Sequence, residues 1–168
     1  GQTLLVEGAA GAGKSALLQA GAGMARSHGL TTLTARGSEI EQEFAFGLAR
    51  QLLEPALSAA APAQRDQLLA GPAAPAALTV APDGDPSASP PPDSFGMMRA
   101  LFVLIARLAA DRPLLLAVDD AHWGDASSLR ALSYLAGRIE GVPAVLVLSL
   151  REDEPGAPEH LLDQLRAE

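Results

Sequence analysis

Two textures alternate along the chain: short unbroken apolar runs, and longer stretches in which apolar residues recur every three or four positions. "TLLVE" (3–7) is a short run stopped by Gly8, and it predicts a buried strand. After a cluster of glycines, Leu17, Leu18, Gly21 and Met24 follow helical spacing up to a capping glycine at Gly29. "LTTLTARG" (30–37), rich in β-branched residues, predicts a second strand. "EIEQEFAFGLARQLLEPAL" (39–57) places Ile40, Phe44, Leu48 and Leu52 near one face and predicts a helix as far as Pro55. Residues 71–93, dominated by Pro, Ala, Gly and Ser, offer few bulky groups to bury and predict a disordered loop.

Periodicity returns with Ser94 as an expected N-cap and Phe95, Met98, Leu101, Phe102, Ile105 and Leu108 on one stripe. "LLLAV" (114–118) is continuously apolar, as a strand covered on both faces should be, and it ends in Asp119 and Asp120. "ASSLRALSYLAGRIEG" (126–141) predicts a helix closed by Gly141. "AVLVLSL" (144–150) predicts a strand that runs out into charge at Arg151, and "PEHLLDQLRAE" (158–168) predicts a last helix. The order β-α-β-α(α)-β-α-β-α, without internal repeat, calls for an α/β fold with a parallel sheet between helical layers.

Composition narrows the picture. At 168 residues the chain is expected to form one domain, and because aromatics make up only 4% its core must be aliphatic. A net charge of -8 repels phosphate backbones, so this segment is not expected to grip nucleic acid itself. The absence of cysteine excludes disulfides and thiolate metal sites and fits a reducing cytoplasm. His28, His122 and His160 show no metal-ligand spacing. The apolar run "ALFVLIARLAA" (100–110) is interrupted by Arg107 and too short to span a bilayer. No basic, then apolar, leader opens the chain, which starts two residues before a strand and reads as an excised fragment.

Lys14 is the only lysine of the chain, and it sits in "GAAGAGKS" (8–15). Gly8, Gly13, Lys14 and Ser15 fit G-x-x-x-x-G-K-[ST], the phosphate-binding P-loop, between an expected strand and an expected helix. The candidate cradle runs through Gly8, Ala9, Ala10, Gly11, Ala12, Gly13, Lys14, Ser15 and Ala16. Glycines let the loop curl so that backbone N–H groups face phosphate oxygens, and the helix that follows adds its positive end. Lys14 offers a slim, mobile ammonium to the β- and γ-phosphates, and the Ser15 hydroxyl suits Mg²⁺. The same stretch also fits G-x-G-x-x-A through Gly11, Gly13 and Ala16. A dinucleotide site needs an acid at the end of the second strand, however, and Arg36 stands there instead.

Adjacent aspartates at a strand end serve as well to cap a turn as to bind metal, and the P-loop upstream favours the second reading. Asp119 is the candidate metal carboxylate, and Asp120 the candidate for orienting or deprotonating the attacking water. Arg151 is placed to meet developing charge on a γ-phosphate, or else to be a solvated charge beside Glu152 and Asp153. Trp123 is expected to pack rather than to stack on a base.

Together, "LLVEGAAGAGKSALL", "GSEIEQEFAFGLARQLLEP", "LLLAVDDAHWGDASSLRAL" and "LVLSLRED" resemble the ATPase domain of the large ATP-binding regulators of the LuxR family. These fall within the STAND group of P-loop NTPases and are similar to the MalT-type activators. The resemblance implies a sheet ordered 2-3-4-1-5 with the Arg151 strand beside the P-loop strand. It implies Asp119 and Asp120 as the Walker B acids, Arg151 as a sensor arginine, and ATP with Mg²⁺ as ligand. It also implies a cytoplasmic regulator that self-associates on a signal and touches DNA through a C-terminal helix-turn-helix. The fifth strand of that pattern is not found before Glu168. Similar ATPase domains accompany nucleotide cyclases and protein kinases, so the output module stays open. So do a P-loop small-molecule kinase and a sensor that binds without turnover.

Overall fold

The four apolar runs become β1 (Gln2–Glu7), β2 (Thr31–Arg36), β3 (Leu114–Asp119) and β4 (Ala144–Leu150). The computed structural model describes residues 1–81, 95–152 and 154–168. Among these the strands form one wholly parallel sheet in the order β1-β4-β3-β2, which is the expected 2-3-4-1 seen from the other edge. Parallel register brings the C-terminal ends to one side: Glu7 lies opposite Leu150, and Arg36 opposite Asp119.

Alternation along each strand divides the core into two layers. Leu115 and Ala117 of β3, with Val145 and Val147 of β4, face α1 (Lys14–Ser27), meeting Ala22 and Ala25 there. Leu114, Leu116 and Val118 point the other way, with Leu33, Leu146 and Leu148, into the larger core. That layer is closed by α2 (Gly47–Ala59), α5 (Phe95–Asp111), α6 (Ala126–Ala136) and α7 (Glu159–Ala167). Two short helices, α3 (Pro62–Leu68) and α4 (Ala74–Val80), complete it.

Five expectations need correcting. The second helix begins at Gly47 rather than Glu39: residues 39–41 form a single 3-10 turn, and Ile40 and Phe44 stand 85% and 65% exposed. Phe46 is instead the buried aromatic, in a left-handed conformation (φ 62°) that no helix can continue through. Pro55 lies inside α2 and does not end it. The hydrogen bond it forfeits is offset by burial of Leu52, Leu53 and Leu57 on either side.

The expected disordered loop is ordered over its first part. Residues 71–73 form a 3-10 turn that buries Ala73, and α4 buries Ala76 and Val80, all three completely. Small residues fill a close-packed layer as well as large ones do, and composition alone hid this. The Arg107 guanidinium fastens the segment by donating to the carbonyls of Leu68 and Ala70, both at 2.8 Å. The remainder of the expected loop and the Ser94 cap lie outside the described residues.

Helix α5 turns its stripe by about one position. Met97, Ala100, Leu101, Leu104, Ile105 and Ala109 are innermost, Met98, Phe102 and Leu108 flank them, and Phe95 is exposed. Helix α6 stops at Ala136, with Gly137 as its cap, well before Gly141.

Candidate functional site

The segment between β1 and α1 opens outward from the sheet edge. Gly11 and Gly13 take φ of 76° and 88°, and a Cβ at either would meet nothing within 4 Å, so the mouth of the loop is free space. Helix α1 starts without a side-chain cap and without an acidic residue in its first turn, leaving its positive end uncompensated. The Lys14 ammonium folds back across the loop and donates to the carbonyls of Gly8 at 2.7 Å and Ala9 at 2.8 Å. Two of its three donors thus hold the loop's shape, and one is left. The strand before the loop is pinned from below, where Arg166 on α7 donates to Glu7 at 2.8 Å.

Two strands away, Asp119 closes β3. Ser149 on β4, fully buried, donates to Asp119 Oδ1 at 2.6 Å and accepts the Asp120 N–H at 2.8 Å. Burial pushes the Asp119 carboxyl up. Hydrogen bonds from Ser149 and Ser15, the Arg36 charge and the Asp120 backbone outweigh it and hold the group below the usual carboxylate range. The Ser15 hydroxyl and the Asp119 carboxylate therefore meet across the gap between P-loop and β3. Among the described residues no cluster of three or more His, Asp or Glu side chains could hold a metal alone. Mg²⁺ suits such a place when a phosphate supplies its remaining oxygens, so the donor set fits a magnesium nucleotide.

Asp120 follows in a left-handed conformation (φ 49°), buried and ringed by cations. Arg36 donates to its Oδ2 through Nε at 3.2 Å and Nη2 at 2.9 Å, while Arg151 Nε lies 3.8 Å from Oδ1. Arg151 is also paired with Glu154 at 3.2 Å, and Asp153 lies outside the described residues. His122 is fully buried, and burial lowers its basicity, so the ring is neutral. Its Nδ1 accepts the Arg151 N–H at 3.3 Å, which puts the ring proton on Nε2, 4.0 Å from Asp120 Oδ1. Trp123 is half-buried beside it, the ring centroids 5.4 Å apart.

Asp125, at the end of the same short segment, ties the site to α2. Its Oδ1 accepts the N–H of Ser128, capping α6, and the N–H of Phe46 at 2.7 Å, while Oδ2 accepts from Leu48 at 3.3 Å. Replacing Asp125 with alanine removes a cap and strands two buried N–H groups. A stability loss of about 3 kcal/mol in urea unfolding is expected. A loss under about 1 kcal/mol would show that water takes over these bonds.

The residues singled out in the sequence thus gather at one end of the sheet: the loop from Gly8 to Ala16, then Asp119, Asp120 and Arg151. Ser149, His122, Asp125 and the contact made by Arg36 were not foreseen. For Ser149 a signal existed, since it is the one hydroxyl in the apolar run "AVLVLSL".

A family model described as AAA ATPase domain matches residues 1–148. This chain belongs to the AAA ATPase domain family. Comparison with curated proteins and with solved structures finds no match. Membership accounts for the P-loop and points to nucleotide-binding ATPase activity, and the match takes in the Gly8–Ala16 loop, Asp119, Asp120 and Ser128. No helix among the described residues of this AAA ATPase domain is long and apolar enough to cross a membrane.

Proposed function

We propose that the chain is an ATP-binding, slowly hydrolysing switch domain of a LuxR-type transcription regulator, similar to the MalT-type members of the STAND group. One observation carries the nucleotide part of this reading. An open glycine loop, a lysine folded across it, and a serine–aspartate oxygen pair converge at the C-terminal edge of a parallel sheet. The regulatory part rests on the likeness of "EFAFGLARQLLEP" and "DDAHWGD" to that group.

In this reading the N–H groups of the loop and of the first turn of α1 hold the phosphates. Lys14 gives its remaining donor to them, and Ser15 with Asp119 holds the cation. When bound, ATP would supply the reactive anhydride and Mg²⁺ would neutralise charge on its phosphate oxygens. Asp120 orients water with its carboxylate, and Arg151 faces charge developing in the transition state. Nucleotide state is coupled to self-association on a signal in the cytoplasm, and DNA contact belongs to a separate C-terminal domain.

The direct test is a titration of the chain with a fluorescent ATP analogue in the presence of Mg²⁺. Saturable binding that excess ATP displaces, and that EDTA weakens, is expected. A signal that does not saturate, or that ATP cannot displace, rejects the nucleotide reading.

A further inference from the structure

His122 is the buried group at the sheet edge whose hydrogen bonds are incomplete. It sits in the 3-10 turn Ala121–Trp123, fully enclosed, and its Nε2 finds no partner among the described residues. The other stranded side-chain atoms there are threonine hydroxyls, whose protons can turn, whereas an imidazole N–H points where its ring points. A donor shut away from water without an acceptor is costly, so its retention asks for a state of the site in which it is paired. The acceptor that stands nearby is Asp120 Oδ1, 4.0 Å from Nε2. Oδ1 itself accepts no hydrogen bond among the described residues: Arg36 donates to Oδ2, and Arg151 Nε stays at 3.8 Å.

The ring is held in place by two neighbours. Its Nδ1 accepts the Arg151 N–H at 3.3 Å from the end of β4, and the Trp123 ring lies against it, 5.4 Å between centroids. The backbone of Asp120 is equally fixed, by its φ of 49° and by the bond from its N–H to Ser149. Only the Asp120 side-chain torsions are left to close the gap. An N–H···O bond is about 2.9–3.0 Å long, so a movement of about 1 Å suffices.

We propose that His122 is a positioning residue for the reaction. It bridges the Arg151 backbone through Nδ1 and the Asp120 carboxylate through Nε2–H, which closes onto Oδ1 when nucleotide is bound. This rests on the nucleotide reading above and on Asp120 as the group that orients water. A carboxylate held at Oδ1 by a neutral donor keeps its charge and has its plane fixed, and Oδ1 still has a second lone pair for water. The same ring sets the distance between that carboxylate and the strand end from which Arg151 faces developing charge. His122 itself touches neither nucleotide nor water and moves no proton.

The experiment compares the parent chain with His122→Gln and His122→Asn. Gln places an amide donor near the Nε2 position. Asn places an amide oxygen near Nδ1, keeping the Arg151 bond but offering nothing to Asp120. With Mg²⁺ and ATP, kcat is expected to fall about tenfold in His122→Asn and to stay within about threefold of the parent in His122→Gln. Affinity for a non-hydrolysable ATP analogue should stay within about twofold in both, which also reports that the variants are folded. A merely structural role gives the opposite order, because Asn keeps the one bond the ring makes. Equal kcat in the two variants, that opposite order, or a loss of affinity matching the loss of kcat overturns the positioning role. A side-chain ¹⁵N spectrum of the parent chain needs neither turnover nor a variant. Nε2 should be the protonated nitrogen, and its proton resonance should move downfield when the analogue and Mg²⁺ are added. An Nδ1–H tautomer, or an unmoved proton with the analogue bound, overturns the role as well. A parent chain that binds no nucleotide overturns the nucleotide reading itself.

Discussion

Lys14→Ala is expected to bind the fluorescent ATP analogue about a hundredfold more weakly than the parent chain, at an unchanged unfolding midpoint. The magnitude follows from losing one charge-assisted contact to phosphate, about 2.7 kcal/mol or two decades in affinity. Part of the loss comes from the loop itself, whose Gly8 and Ala9 carbonyls lose the ammonium that gathers them. Lys14→Arg sharpens the test. Every other Lys-or-Arg position of this chain is arginine, so charge alone cannot explain why lysine stands here. The Lys14 side chain is buried at the base of the loop, and a planar guanidinium cannot turn its donors onto both carbonyls and still present one upward. The arginine variant should therefore bind nearly as poorly as the alanine variant. Affinity at the parent level in Lys14→Ala would remove the lysine from the phosphate site.

The second large effect is expected on turnover. Asp120→Asn keeps the shape of the side chain and one carbonyl-type oxygen for Arg36 but loses the charge that orients or deprotonates water. ATP hydrolysis should fall about a hundredfold, the lower end of what a positioned acid or base contributes, with ATP affinity within about threefold of the parent. The folded state should tolerate the change, because Arg36 and Arg151, the cations left without their counter-charge, both reach solvent. Unchanged turnover in a phosphate-release assay would take Asp120 out of the reaction and leave it as the acid of a structural cluster.

The parallel sheet could be read from the sequence because each buried strand is a continuous apolar run, a pattern that needs no partner to interpret. The P-loop was equally legible, since its chemistry lies within eight consecutive residues. What escaped was decided at a distance. The start of α2 depends on Asp125, 79 residues along the chain, which draws the Phe46 N–H and so forces the turn before Gly47. Nothing local to "EIEQEFAF" carries that information, and helical spacing filled the gap. The partners of Asp120 are likewise 29 residues away at Ser149 and 84 at Arg36. Ala73 and Ala76 were overlooked for a different reason. A small side chain can be wholly buried without lending its segment any apolar weight.

The shared anchor at Asp125 also sets an order of events. A ribosome adds about 5–20 residues per second, so the 79 residues between Phe46 and its acceptor take about 4–16 s to appear. During that interval Phe46, fully buried in the finished domain, has no acceptor to hold its backbone, while β1, the glycine loop and α1 are already complete in sequence. The nascent chain can thus curl its phosphate loop early, yet it must keep a large aromatic from wrong contacts until the second half arrives. A single carboxylate then starts two helices at once, and the two halves of the domain lock in one step.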